Sequence, residues 1–294
     1  MKFNRQYQLD VQLANPNNGE PKYIPIALPF TVEFTINRAA FAVSQTATFT
    51  IYNLSEEKRR LLHKDIFVTS DFRVVRFKAG YENSPQPYIF IGSVQQAYSI
   101  RQGTEFRTVI ECYDGGFPMA NSWSTRTEGP NQTGTQLLQK LASDLVGMQA
   151  TPVVSSAFST KNLRPATFFG PTWNFITSLS QGLAFIDNSQ LVALAQDERL
   201  PAVIPEITSD SGLLGVPRRT GTFTECTILF EPRISLYQTV YLRSQSNTYL
   251  NDTYRVQGFT HKGIISPAVN GGITTELQLW AGILGLKEAS VPLQ

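Results

Sequence analysis

Apolar and polar positions alternate through most of the first 115 residues. In 7–13 the apolar positions are Tyr7, Leu9, Val11 and Leu13, with polar residues between them. In 30–36 they are Phe30, Val32, Phe34 and Ile36, and in 47–52 they are Ala47, Phe49 and Ile51. A period of two is the signature of a half-buried strand. Residues 72–78, 88–94 and 106–113 continue the series, and Asn17-Asn18-Gly19 reads as a turn. Many short strands separated by turn residues predict a small barrel or sandwich. One segment breaks the period. Residues 53–62 predict a short helix capped by Ser55, with Glu56 and Glu57 at the end where the helix dipole favours negative charge. Leu54, Leu61 and Leu62 are expected to pack it against the sheet.

The pattern changes between 116 and 212. Leu137, Leu138, Leu141 and Leu145 form a helical stripe within 133–146, and Gly147 stands past its end. A second helix is predicted after Gly170-Pro171, carrying Trp173, Ile176 and Leu179 to a stop near Gly182, with Pro171 in its first turn. Two apolar runs, 183–186 and 191–194, predict a hairpin closed by the four-residue loop Asp187-Asn188-Ser189-Gln190. Residues 199–220 hold Pro201, Pro205, Gly212, Gly215 and Pro217, a linker signal. Strands resume at 223–230, 238–242, 254–260 and 274–280. The expected architecture is mainly β with an α+β insertion. It has a barrel domain at 1–115, an α+β domain at 116–212, a second barrel at 213–283 and a tail at 284–294.

The ends of the two β regions are alike. Residues 108–115 can be laid on 275–282, Thr108 on Thr275 and Gly115 on Gly282, with apolar residues in phase and an aromatic near the end of each. Each follows a strand and a Gly-containing hairpin. Duplication of one barrel explains this, and so does the chance likeness of alternating strands.

Composition narrows the function classes. Charged residues make up 16% of the 294 residues, below the roughly 25% usual for soluble domains, which suits a surface covered by partners. The net charge of +2 gives no electrostatic footprint for nucleic acid. Lys58-Arg59-Arg60 is explained by a solvated helix face and Arg218-Arg219 by a loop. Cys112 and Cys226 read as two reduced core thiols, with a single bridge between them left open. No secretory leader and no membrane span are expected, so the sequons at Asn53, Asn131 and Asn251 are coincidental.

The ordered set of motifs resembles a known family. It comprises 49–55 running into the charged helix, Ala79-Gly80-Tyr81, residues 89–94, Asp114-Gly115, residues 169–173 with the Asp187-Asn188 hairpin, residues 215–220, residues 230–233, and Tyr254-Arg255-Val256 with His261-Lys262-Gly263. Together they resemble the phage tail baseplate hub proteins, the late control protein D or tube-like hub family, related also to the hub part of type VI secretion spikes. Two departures stand out. Leu236-Tyr237-Gln238 replaces a Pro-Gly turn, and Gly263-Ile264-Ile265 replaces an acidic turn. The resemblance implies two tube-like barrels and a homotrimeric, pseudo-sixfold ring in a tail read as contractile. It implies a hexameric tail tube above, a trimeric spike below, and the tape measure and baseplate wedge proteins as further candidates. DNA would be met only in transit. The place is the virion baseplate, after assembly in the host cytoplasm.

No catalytic, cofactor-binding or metal-binding residues are predicted. The histidines are His63 and His261, and each reads as solvated or hydrogen-bonded. No phosphate loop, nucleophile elbow or ligand cluster is present in the sequence. The competing expectation is a β-rich glycan-binding module of a tail fibre or adhesin. Trp123, Trp173 and Trp280 are its candidate platforms, although two of the three fall at core-like positions.

Overall fold

A computed structural model of the chain describes residues 4–14, 20–40, 43–68, 71–148, 150–200, 205–268, 271–282 and 285–289. The turn expected at 17–19, Pro201 and most of the tail lie outside these residues. The amino-terminal region carries β1 (Arg5–Gln12), β2 (Tyr23–Ala27), β3 (Val32–Ala39), β4 (Gln45–Tyr52), α1 (Glu56–Leu62), β5 (Val74–Tyr81), β6 (Tyr88–Gln102) and β7 (Glu105–Asp114). The period of two places Val32, Phe34 and Ile36 of β3 inside, with Glu33, Thr35 and Asn37 outside. In the core, Phe77 packs at ring-centroid distances of 4.8 Å from Phe49 and 5.1 Å from Phe34. Ser55 caps α1 as expected. Leu54 and Leu62 are buried, but Leu61 is 43% exposed, because it falls on the solvent side of the seven-residue helix.

The middle region carries α2 (Gly116–Asn121), β8 (Trp123–Glu128), α3 (Gly134–Ala142), β9 (Val153–Val154), β10 (Ala166–Pro171), α4 (Thr172–Leu179), β11 (Ala184–Asp187) and β12 (Gln190–Ala193). Thr133 and Gln136 form a reciprocal capping box at the start of α3. That helix stops at Ala142, short of the expected 146. The Ser143 hydroxyl caps the Lys140 carbonyl, and Asp144 is held by Ser124 and Arg126. Pro171 still belongs to β10 and caps α4 rather than entering it. The hairpin loop is shorter than expected. Asp187 and Gln190 already pair, leaving a two-residue turn in which Asn188 and Ser189 have φ of 50° and 57°. Two consecutive positive φ values are the hairpin turn whose twist matches the flanking strands.

The carboxy-terminal region carries β13 (Glu198–Arg199), β14 (Glu206–Ile207), β15 (Leu213–Thr220), β16 (Phe223–Leu229), β17 (Thr239–Leu242), a 3-10 turn (Thr248–Leu250), β18 (Asp252–Ile265), β19 (Ile273–Trp280) and β20 (Lys287–Glu288). The expected linker at 199–220 is thus replaced in part by strands. Gly215 and Pro217 mark a bulge in β15 between Leu214 and Arg218. Arg218-Arg219 therefore stands in a strand and not in a loop. β18 also outruns its expected end at Thr260, because Gly263 lets the backbone pass close to Ile273. At the Leu236-Tyr237-Gln238 departure a turn survives without Pro-Gly, as Tyr237 itself adopts φ 61°.

Thirteen strands join in one sheet, and its order contains a likeness. β3 to β7 lie side by side as β3-β4-β7-β6-β5, and β15 to β19 lie as β15-β16-β19-β18-β17. Each set places its first, second, fifth, fourth and third strands in the same succession. The β6–β7 register shifts between Val94 and Gln96, opposite Cys112 and Glu111. The β18–β19 register shifts between Val256 and Gly258, opposite Leu279 and Gln278. Past each bulge a polar pair stands at the matching position, partly exposed in the first set and buried in the second. Ser99 Oγ lies 3.0 Å from Thr108 Oγ1, and His261 Nδ1 lies 2.8 Å from Thr275 Oγ1. The two sets meet where the second half of β18 pairs antiparallel with β3. Three apolar cores lie beneath, one largely under each set and one in the middle region. The β11–β12 hairpin is shared, with Phe185 and Val192 in the second core and Ile186 and Leu191 in the third.

Candidate assembly surface and its buried anchors

Two inward-facing arginines tie the middle region to the sheet. Arg38 sits on β3 at the phase of Val32, Phe34 and Ile36, where an apolar residue is expected. It is buried and donates to the Asp187 carboxylate, to Asn188 Oδ1 at 2.5 Å and to the Ile89 carbonyl at 2.7 Å. Its guanidinium also lies 3.5 Å from Asp114 Oδ2. Asp114 is fully buried, and its other oxygen accepts from the Ser189 amide at 3.0 Å. Burial raises the Asp114 pKa to about 7, an effect that Arg38 opposes. Charges in such a place need partners, and the turn Asp187-Asn188-Ser189 supplies them.

Arg255 on β18 does the same at the other junction. It donates to the carbonyls of Gln196 and Glu198, each at 2.6 Å, and to Gln257 Oε1 at 2.8 Å. Its guanidinium lies 3.9 Å from the Tyr237 ring centroid and 4.4 Å from that of Trp280. Tyr237 in turn stacks on Phe185 of β11 at 5.2 Å. In the sequence Arg38 carries no motif, and Arg255 stands only within the Tyr254-Arg255-Val256 motif of the family resemblance, with no anchoring role attached. The available signal was a lone cation at a core phase within an alternating strand.

The opposite face of the sheet carries no such packing. Rows of polar side chains run across it through consecutive strands. One row passes from Thr227 to Glu276, Thr260, Asn37 and Thr46, directly opposite one another from β16 to β4. Another runs from Lys262 through Thr35, Thr48 and Glu111 to Gln96. Two cations on this face pair with carboxylates across strands, and a third carboxylate takes a neutral partner. Arg218 meets Glu225 at 2.8 Å, Lys262 meets Glu276, and Gln96 donates to Glu111 at 2.6 Å. A groove of about 660 Å³ follows this face between β4 and β15. Such a surface offers hydrogen-bonding groups to water without a field that would hold a polyanion.

His63 is exposed at the end of α1, as expected of a solvated histidine. His261 is fully buried, and desolvation lowers its pKa to about 3. Cys112 and Cys226 are free thiols in separate cores. Burial raises both, Cys226 to about 12. Trp173 packs against the third core, and Trp280 is half-buried beside Arg255. Trp123 is exposed and meets exposed Phe169 edge-on at 5.9 Å. Among the described residues no group of three or more acidic, histidine or cysteine side chains could hold a metal, and no helix is long and apolar enough to cross a membrane.

A model of the family described as baseplate hub gp41 matches residues 9–262. No curated protein sequence matches the chain. Among solved structures, a tail protein from Neisseria meningitidis is similar at a TM-score of 0.58 and 10% identity, with 93% of this chain and 96% of that chain covered. The 43 kDa tail protein of prophage MuSo2 from Shewanella oneidensis is similar at 0.59 and 9% identity, covering 92% and 96%. An Escherichia coli component of the type VI secretion system, itself described as similar to T4 tail proteins gp27 and gp5, is similar at 0.55 and 8%, covering 90% and 77%. These likenesses show a shared fold.

Proposed function

The chain belongs to the baseplate hub gp41 family, and on that premise we propose that three copies close into a pseudo-sixfold ring between a hexameric tail tube and a trimeric spike. The carrying observation is the strand order repeated in β3 to β7 and β15 to β19. Two like units per chain let a threefold molecule offer six like surfaces, the number a sixfold tube requires. The common bulge and the Ser99–Thr108 and His261–Thr275 pairs support descent of the two units from one. The polar face, with Arg218 and Lys262 each matched to a carboxylate, suits the wall of a channel through which DNA passes without being held. The role is structural, and the chain works by shape and assembly. Light scattering on the purified full chain tests the reading. A mass three times the 32.8 kDa of one chain is expected, and a monomer or dimer at every concentration would contradict it.

A second reading, a glycan-binding module, has one observation in its favour, the exposed Trp123–Phe169 pair. Saturable binding on a glycan array that is lost in Trp123→Ala would support it.

A further inference from the structure

Among the described residues, and apart from β2 and β14, which also pair on one side only, two stretches of edge in the thirteen-stranded sheet are open, and the chain contains the template for joining them. β15 pairs only with β16 and lies at one end of the sheet. The second half of β6 pairs with β7 on one side, while its other side meets only the isolated bridge from Lys64 to Ala97. From Tyr98 to Gln102 that edge is open. Exposed edges of this length are an association hazard unless something covers them. Both carry apolar side chains into solvent. Tyr98 and Ile100 on β6 are 37% and 46% exposed, and Leu214 and Val216 on β15 are 39% and 57% exposed.

Superposing the two five-strand sets identifies the missing partner of each edge. Gln96 and Gly258 occupy one place, since they face Glu111 and Gln278 immediately past the bulge. Ala47 and Thr224 occupy another, since they face Cys112 and Leu279. β6 is thus the counterpart of β18, and β15 that of β3. Within the chain, β18 pairs with β3, with Thr260 opposite Asn37, His261 opposite Ile36 and Lys262 opposite Thr35. We infer that β6 of one copy pairs antiparallel with β15 of a second copy in the same way, placing Tyr98 opposite Thr220, Ser99 opposite Arg219 and Ile100 opposite Arg218. This seam rests on the trimeric reading and gives it a register. Each copy then contributes one internal seam and one shared seam, and the sheet continues from copy to copy around the ring. The Gly215–Pro217 bulge lies just beyond the paired stretch.

Cysteine cross-linking of the full chain tests the seam. Directly opposite cross-strand residues have Cβ atoms about 4.5–5.5 Å apart, close enough for a disulfide after small adjustment. The native thiols are buried and provide little background. Ile100→Cys with Arg218→Cys is expected to give reducible species of two and three chain masses under mild oxidation. Tyr98→Cys with Thr220→Cys should do the same, and guards against misfolding of the first pair. Ile100→Cys with Arg219→Cys puts one thiol on the far face of its strand and should give neither species. A trimer by light scattering that forms no link through either matched pair, or links equally through the mismatched one, would overturn the seam alone. A monomer would overturn the trimer and the seam with it.

Discussion

His261 Nδ1 lies 2.8 Å from Thr275 Oγ1 inside the sheet, in the place that Ser99 and Thr108 hold in the other half of the molecule. The histidine is fully buried, and its Nε2 has no hydrogen-bond partner among the described residues. It is therefore held neutral, with a pKa lowered to about 3 by burial. Between about 3 and the usual histidine value near 6.5 the unfolded chain binds the extra proton, so this group makes stability rise with pH across that window. Urea midpoints of the wild type and of His261→Gln, measured at pH 5 and pH 7, should show a larger gain with pH in the wild type. Equal gains would contradict neutral burial.

Asp114 works in the opposite direction. Its pKa is raised to about 7 in the folded protein, so the folded state binds more protons than the unfolded state between about 4 and 7. Its contribution falls as pH rises through that range. Asp114→Asn should therefore steepen the gain in stability from pH 4 to pH 7 relative to the wild type. A flatter profile in the variant would show that Arg38 keeps the carboxylate ionised throughout.

Arg38 is the partner of two carboxylates and one turn amide. Arg38→Ala leaves Asp114 and Asp187 together without their cation. Breaking a buried pair in this way costs about 3–5 kcal/mol. Hydrogen exchange should also quicken at the Asp187–Gln190 turn. Unchanged protection there would show that the hairpin is held by its apolar contacts alone.

Phe77 is fully buried and packed against Tyr7, Phe34 and Phe49. Phe77→Ala is expected to cost about 3–5 kcal/mol, read from denaturant unfolding. Truncation of exposed Phe67 should change stability by less than about 0.5 kcal/mol.

Cys112 and Cys226 are buried, and neither is ready to ionise near neutral pH. A thiol reagent such as Ellman's reagent should find no reactive group in the native protein and two after unfolding in denaturant. Rapid native labelling would contradict the placement of either residue.

Much of the fold was legible because strand alternation is written in single residues. Phe34, Phe49 and Ile110 lie where their phase puts them, and Ser55 and Thr133 cap the helices that follow them. The misreadings came from glycine and proline. At Gly215, Pro217 and Gly263 those residues serve bulges and close strand approach, which the same symbols would equally signal in a loop. The Asn188-Ser189 turn was read too long because Asp187 and Gln190 look like loop residues while pairing as strand ends. The anchoring roles of Arg38 and Arg255 were not legible, because a cation inside a strand gains meaning only from its partners, which lie about 60 to 150 residues away in sequence. The likeness of 108–115 to 275–282 was visible in sequence, but the common strand order around it required the pairing of distant strands.

The most direct test of the central claim is imaging of the protein in its assembled tail at a resolution that separates strands. The expected result is a ring of three chains showing six similar β units around one channel, with β6 of each chain beside β15 of the next. A ring of six chains, or three chains whose β3–β7 and β15–β19 units do not alternate around the channel, would contradict it.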